Sequence, residues 1–249
     1  MAATPARRPP ASPLDSALTA STFIVRLKAL RSSQVAKSHA HLAAGKKDLI
    51  IGVRMGQVFA LAKEFIGMSL SEIDTLLKSP IHEARVGAVS IMDFQARSKK
   101  TSNAQRKALF DLYIRRHDRI DTWDLVDRSA PHVIGSYLMD KPRKILYKLA
   151  RSKRMSERRT AIVSTLYFIG KGDVKDAFKL SELLLQDKDD LIHKATGWAL
   201  RYAGDKDRRQ LVKFLDRHAA TMPRVMLRYA IEKFDKKERE RYLAMKNAR

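Results

Sequence analysis

A chain of 249 residues can bury a substantial core and amounts to one large domain or two small ones. Its 50 Lys and Arg against 27 Asp and Glu leave a net charge of +23 and a pI near 10.4, a field that attracts polyanions and makes nucleic acid the first candidate partner. The absence of cysteine excludes disulfides, thiolate metal sites and cysteine nucleophiles and fits a cytoplasmic protein, and no apolar run approaches the ~20 residues that a membrane span needs.

Residues 1–15, with Pro5, Pro9, Pro10 and Pro13, read as a flexible Pro/Ala-rich leader, and residues 16–249 as one repeat domain. Phe23, Leu27 and Leu30, with Ala29, predict a first amphipathic helix ending near Arg31-Ser32-Ser33. His39 and His41 stand two apart, diverge on a helix and read as surface residues. Leu49 to Val53 is a short apolar run around Gly52, followed by Phe59, Leu61, Ala62, Phe65 and Ile66 at helical spacing.

From there a repeat emerges. Similar helical openings recur at Arg85, Asp124, Arg159, Lys194 and Arg228, spaced 39, 35, 35 and 34 residues apart, with leucine-rich segments between them. Two helices per unit predict an all-α solenoid of HEAT-like helical repeats with a concave basic surface lined by the second helix of each pair.

The richest stretch is Asp121-Thr122-Trp123-Asp124-Leu125-Val126-Asp127-Arg128, which holds one of two tryptophans and three carboxylates in a basic chain. Asp121 or Thr122 is expected to supply an N-cap oxygen, with Asp124 in the first turn. Trp123 and Asp127, four apart, share a face, and Val126, Ala130, Val133 and Ile134 form the adjoining apolar one. On these eight residues alone, pairing of Asp127 with an arginine and packing of Trp123 is the simpler reading. The repeat register shifts the balance, because Asp127, Arg159 and Trp198 are expected within the first four or five residues of consecutive inner helices and should converge as a site.

Between Lys141 and Arg159 stand nine basic residues and the single acid Glu157. Lys144, Lys148, Arg151, Lys153, Arg154 and Arg158, with Arg201 further along, are therefore expected to follow a phosphate backbone. Gly170-Lys171-Gly172-Asp173 lacks the spacing of a phosphate-cradling loop, and His82, His132 and His193 lack helical metal-ligand pairing. No Ser-His-acid set is present, so chemistry here would rest on a carboxylate, aromatics and arginine, with neither metal nor cofactor expected.

At Trp123-Asp124-Leu125-Val126-Asp127, Arg158-Arg159-Thr160-Ala161-Ile162 and Lys194-Ala195-Thr196-Gly197-Trp198-Ala199-Leu200-Arg201 the chain resembles the AlkD-type alkylpurine DNA glycosylases, a HEAT-like repeat family of DNA alkylation repair proteins. The resemblance spans most of the chain after the leader. It implies a monofunctional hydrolase that cleaves the N-glycosidic bond of cationic N3- or N7-alkylated purines in duplex DNA without obligatory base flipping. Asp127 then matches the catalytic aspartate, Trp123 and Trp198 the aromatics holding the lesion nucleotide's sugar, and Arg159 the arginine beside the backbone. One departure is that His41 to Ile51 contains no aromatic, where family members often carry one. The alternative from another class is a non-catalytic HEAT-repeat scaffold binding duplex DNA or RNA, and a third is an adaptor for an acidic protein. A capped solenoid is expected to be monomeric.

Overall fold

The computed structural model describes residues 18–39 and 48–245; the leader of residues 1–15 and His41 lie outside them. Every regular element among the described residues is helical, apart from an isolated parallel bridge between Leu49 and Ile81. The chain falls into two compact units, divided after Ile91.

The first unit contains α1 (Ala20–Ala29), α2 (Ser33–His39), α3 (Met55–Glu64), α4 (Leu70–Leu77) and the opening turns of α5 (His82–Arg97). The Thr19 hydroxyl accepts the Thr22 N–H and starts α1, whose Phe23 and Leu27 are buried. Phe23 meets the Phe65 ring edge-on at 5.1 Å. Leu30, expected on the same stripe, is the C-cap residue and is exposed, because the helix ends before it can turn inward. Gly52 has φ +81°, and a Cβ there would lie 2.0 Å from the Ser32 carbonyl oxygen. The Glu83 carboxylate holds this turn by accepting the N–H groups of Ile51, Gly52 and Val53. Buried Arg85 grips Asp48 through two hydrogen bonds of 2.8 and 3.0 Å.

The second unit is a stack of helical repeats. It takes in the end of α5, then α6 (Asn103–Arg115), α7 (Trp123–Ala130), a π-helical turn (Pro131–Gly135), α8 (Ser136–Leu138), α9 (Lys144–Leu149) and α10 (Met155–Gly170). After these come α11 (Lys175–Leu183), α12 (Asp190–Gly204), α13 (Arg208–His218), α14 (Arg224–Ala230) and α15 (Lys236–Ala244). One layer runs α7, α10, α12, α14, each packed on the next, while α9 packs on α10, α11 on α10 and α12, and α13 on α12. The helices of that first layer begin 32, 35 and 34 residues apart, close to the repeat expected from sequence. Helix α10 is central: Ala161, Ile162, Val163, Phe168 and Ile169 on several sides of it are all buried. Gly197 lets α14 approach α12, since a Cβ there would lie 2.5 Å from both the Met226 carbonyl oxygen and Tyr229 Cβ.

The helix starts differ. Helices α12, α13 and α15 are capped by Asp189, Asp207 and Asp235, whose carboxylates accept N–H groups of the first turn. Helices α7 and α10 begin at Thr122 and Arg154 with no side-chain cap. The sequence expectation that Asp121 or Thr122 supplies an N-cap oxygen is corrected in this respect: Thr122 is the N-cap residue, but its hydroxyl makes no capping bond.

Candidate functional site

Trp123 opens α7 and Asp127 follows one turn later, so indole and carboxylate lie along one face, while Val126 and Ala130 on the adjoining face and Leu125 on the far side anchor the helix in the core. Val133 and Ile134 of the π-helical turn extend that buried face. Trp123 is 37% exposed, an unusual position for the largest apolar side chain when the core lies beneath it.

Arg159 is the fifth residue of α10, as Asp127 is of α7, and packing of these helices brings the two together. Arg159 donates from Nε to Asp127 Oδ1 and from Nη2 to Oδ2, both at 2.8 Å. Its Nη1 donates to the Leu191 carbonyl in the first turn of α12. The guanidinium is nearly sealed from water, but the Asp127 side chain keeps 21% of its surface open. Burial raises the Asp127 pKa above the ordinary carboxylate range; the Arg159 contacts oppose that shift and the Asp124 charge adds to it. Two paired lone-pair directions leave the carboxylate further accepting capacity.

The tryptophans do not share a register. Trp198 is the ninth residue of α12, not one of its first five, because that helix begins at Asp190 under the Asp189 cap. It lies seven residues, two turns, beyond the Leu191 carbonyl that Arg159 reaches, and is half-buried. The fifth position of α12 is instead Lys194, and that of α14 is Arg228, both exposed. These two cations continue the row begun by Asp127 and Arg159. They stood in the sequence as repeat marks, so their periodicity was the available signal.

The other basic residues divide by environment. Arg151, Lys153 and Arg154 are exposed on the loop leading into α10. Within the protein Arg151 donates to the Tyr147 carbonyl and Arg154 pairs loosely with Glu157 at 3.4 Å. Lys144 and Lys148 are exposed on α9, in the layer that does not carry Asp127. Arg158 turns inward, donating to both Asp187 oxygens at 2.6 and 3.1 Å and to the carbonyls of Ser152 and Lys153. Arg201 pairs with Glu232.

Behind Arg159 lies a buried polar triad that sequence spacing does not reveal. The Thr160 hydroxyl donates to the Ser156 carbonyl, and Tyr113 Oη and His117 Nε2 each lie 3.2 Å from it. With its proton so engaged, Thr160 accepts from Tyr113 and from the Nε2–H tautomer of His117. Burial pushes the His117 pKa down to about 4, keeping the ring neutral, and raises that of Tyr113. Residues from two distant elements make this triad, so no local motif announces it.

Residues 24–234 match the model of a family described as DNA alkylation repair enzyme. The chain belongs to the DNA alkylation repair enzyme family. A solved structure described as a predicted DNA alkylation repair enzyme from Enterococcus faecalis shares the fold, with a TM-score of 0.65 at 16% identity over 83% of this chain and 97% of that one. No curated protein is significantly similar. Membership in the DNA alkylation repair enzyme family implies a DNA substrate, in keeping with the +23 charge. No helix among the described residues is long and apolar enough to cross a membrane, and none of these residues form a group of three or more metal-ligating side chains.

Proposed function

We propose that this protein is a DNA glycosylase for cationic N3- and N7-alkylated purines in duplex DNA, with Asp127 as the group that stabilises the transition state. The observation that carries the reading is the partly open Asp127 carboxylate, clamped by Arg159 one turn from an exposed tryptophan. An alkylated purine already bears positive charge. Breaking its C1′–N bond sends the electron pair to the base, which leaves neutral and needs no acid. Positive charge then develops on the sugar, water adds to C1′ and loses a proton. Unit charges about 4 Å apart at an effective dielectric near 20 attract by about 4 kcal/mol, roughly three decades in rate. Trp123 and Trp198 would hold the sugar from two levels of the helix layer and add cation–π attraction. Arg159 orients Asp127 first, and its role toward DNA runs through that carboxylate.

For the backbone we favour Arg151, Lys153 and Arg154 with Lys194 and Arg228, since all belong to the edge where α7, α10, α12 and α14 begin. Lys144, Lys148 and Arg201 supply longer-range attraction, and Arg158 braces the loop.

A non-catalytic scaffold is the second reading, favoured by the two-pronged hold of Arg159 on Asp127, which is also how a structural ion pair looks. Incubation with duplex DNA carrying N7-methylguanine separates them. Free base, absent from an unmodified duplex, is the expected outcome; tight binding of both duplexes with no base released would establish the scaffold. The protein is proposed to act as a monomer without metal or cofactor.

A further inference from the structure

We propose that the second unit carries a separate small-molecule site that takes a nucleoside monophosphate, centred on His132. The site is a cleft of about 920 Å³, within the usual size of ligand pockets, lined by side chains from α5, α6, α8, α10 and the π-helical turn. It lies at the far ends of the helices that carry Asp127 and Arg159. Its wall residue Tyr167 stands eight residues, about 12 Å, along α10 from Arg159.

Three sequence features build it. Pro131 has no N–H to give a regular helix, and the chain widens there into the π-helical turn, which shifts the residues after it by about 100° around the axis. Such turns recur at functional sites. Gly135 then allows contact with α10, since a Cβ would lie 2.4 Å from the Ser164 carbonyl oxygen and 2.8 Å from Tyr167 Cβ. That approach sets the Tyr167 ring 5.8 Å from the His132 ring. Lastly, Asp93 is fully buried beneath the cleft, with His132 Nδ1 2.8 Å from its Oδ1 and Arg128 and Arg97 at 3.1 and 3.5 Å from Oδ2. A buried carboxylate holding a histidine is costly where leucine would pack. Nδ1 faces that carboxylate at ion-pair distance without an aligned hydrogen bond, and Nε2, on a side chain 35% exposed, has no hydrogen-bond partner among the described residues.

The surroundings select the ligand. Tyr167 offers aromatic surface for a base, while the Tyr137 ring stacks on Phe110 at 4.6 Å and carries the Lys141 ammonium 4.6 Å from its centroid; Arg97, Lys107 and Lys141 are cations for a phosphate. Their present partners are Asp93, Asp111 and Asp140, and the pairs of Lys107 and Lys141 lie at the surface, where exchange for phosphate costs little. The C-terminus of α5 would repel an anion, but Arg106 donates to the carbonyls of Ala96 and Ser98 and offsets that charge. His132 Nε2 can then meet the sugar or the phosphate.

Calorimetric titration of the full chain at physiological salt, using adenosine 5′-monophosphate, adenosine and inorganic phosphate, tests the site. The nucleotide should bind with one-to-one stoichiometry and about tenfold more tightly than either fragment. Lys141→Glu and Lys107→Glu should each weaken it about tenfold, as should His132→Ala, with unchanged melting of at least one variant showing that the fold is retained. Arg154→Glu, on the opposite edge, should leave it unaltered. Equal affinity for nucleotide and phosphate, or equal weakening by Arg154→Glu, would overturn the proposal and reduce the effect to diffuse attraction by a basic protein.

Discussion

Asp127 illustrates a conflict between stability and chemistry. Its pKa is raised in the folded protein, so the ionised form is less favourable folded than unfolded. The stability linked to its protonation is present at low pH and is lost as pH rises through the folded value. Melting of the native protein and Asp127→Asn across pH should therefore show the native protein gaining relative to the variant as pH falls. Base release should follow the opposite course, failing in acid at a midpoint above that of an ordinary carboxylate. Trp123 gives a simpler expectation. About two-thirds of its surface is covered, so Trp123→Ala should lower melting as well as the release rate, whereas Trp123→Phe should keep more of the packing and still lower release by up to about tenfold, the scale of one cation–π contact. Release unchanged in both variants would make it a packing residue. The Trp123–Asp127 pair was legible in sequence because both residues sit within one helical turn. The choice of Arg159 between a phosphate and that carboxylate was not, since it depends on the closeness of α7 and α10.

At the level of elements, the repeat was visible as recurring openings, and the spacing of helix starts agrees with it. The register within α12 was not visible, because similarity of residues marked Lys194 as the opening, while the physical start is set four residues earlier by the Asp189 cap. Trp198 consequently lies deeper than expected. The contact between α12 and α14 rests on Gly197, and Gly197→Ala should destabilise the protein by about 1–3 kcal/mol through overpacking, measured by denaturant unfolding. No loss would mean that α14 can move aside. The triad linking α6 and α10 makes an acid-sensitive joint. His117 is neutral when folded, with its pKa depressed to about 4, so its stabilising effect is present above the unfolded value and lost as pH falls towards 4. The change amounts to about 3 kcal/mol. His117→Gln should flatten that part of the stability profile, and an unchanged acid limb would place the sensitivity elsewhere.

For the molecule as a whole, a charge of +23 says only that polyanions are attracted, and composition could not say where they lie. The fold divides the cations by their partners: Arg158 and Arg201 face carboxylates, whereas Arg151, Lys153, Lys194 and Arg228 remain exposed along one edge. Duplex affinity should fall steeply with salt. Each of Lys153→Gln, Lys194→Gln and Arg228→Gln should reduce the slope of log affinity against log salt by about one, whereas Arg158→Gln should mainly lower melting. Equal slopes for all four variants would move the DNA to another face.

The Asp127 charge either accelerates bond cleavage or only holds Arg159. Single-turnover release of N7-methylguanine from duplex DNA, at saturating native protein and Asp127→Asn, measures this apart from binding. The rate constant should be lower by about two to three decades in the variant, with the half-saturating concentration unchanged or lower. Equal rate constants would contradict that catalytic role and leave the aspartate as a structural partner of Arg159.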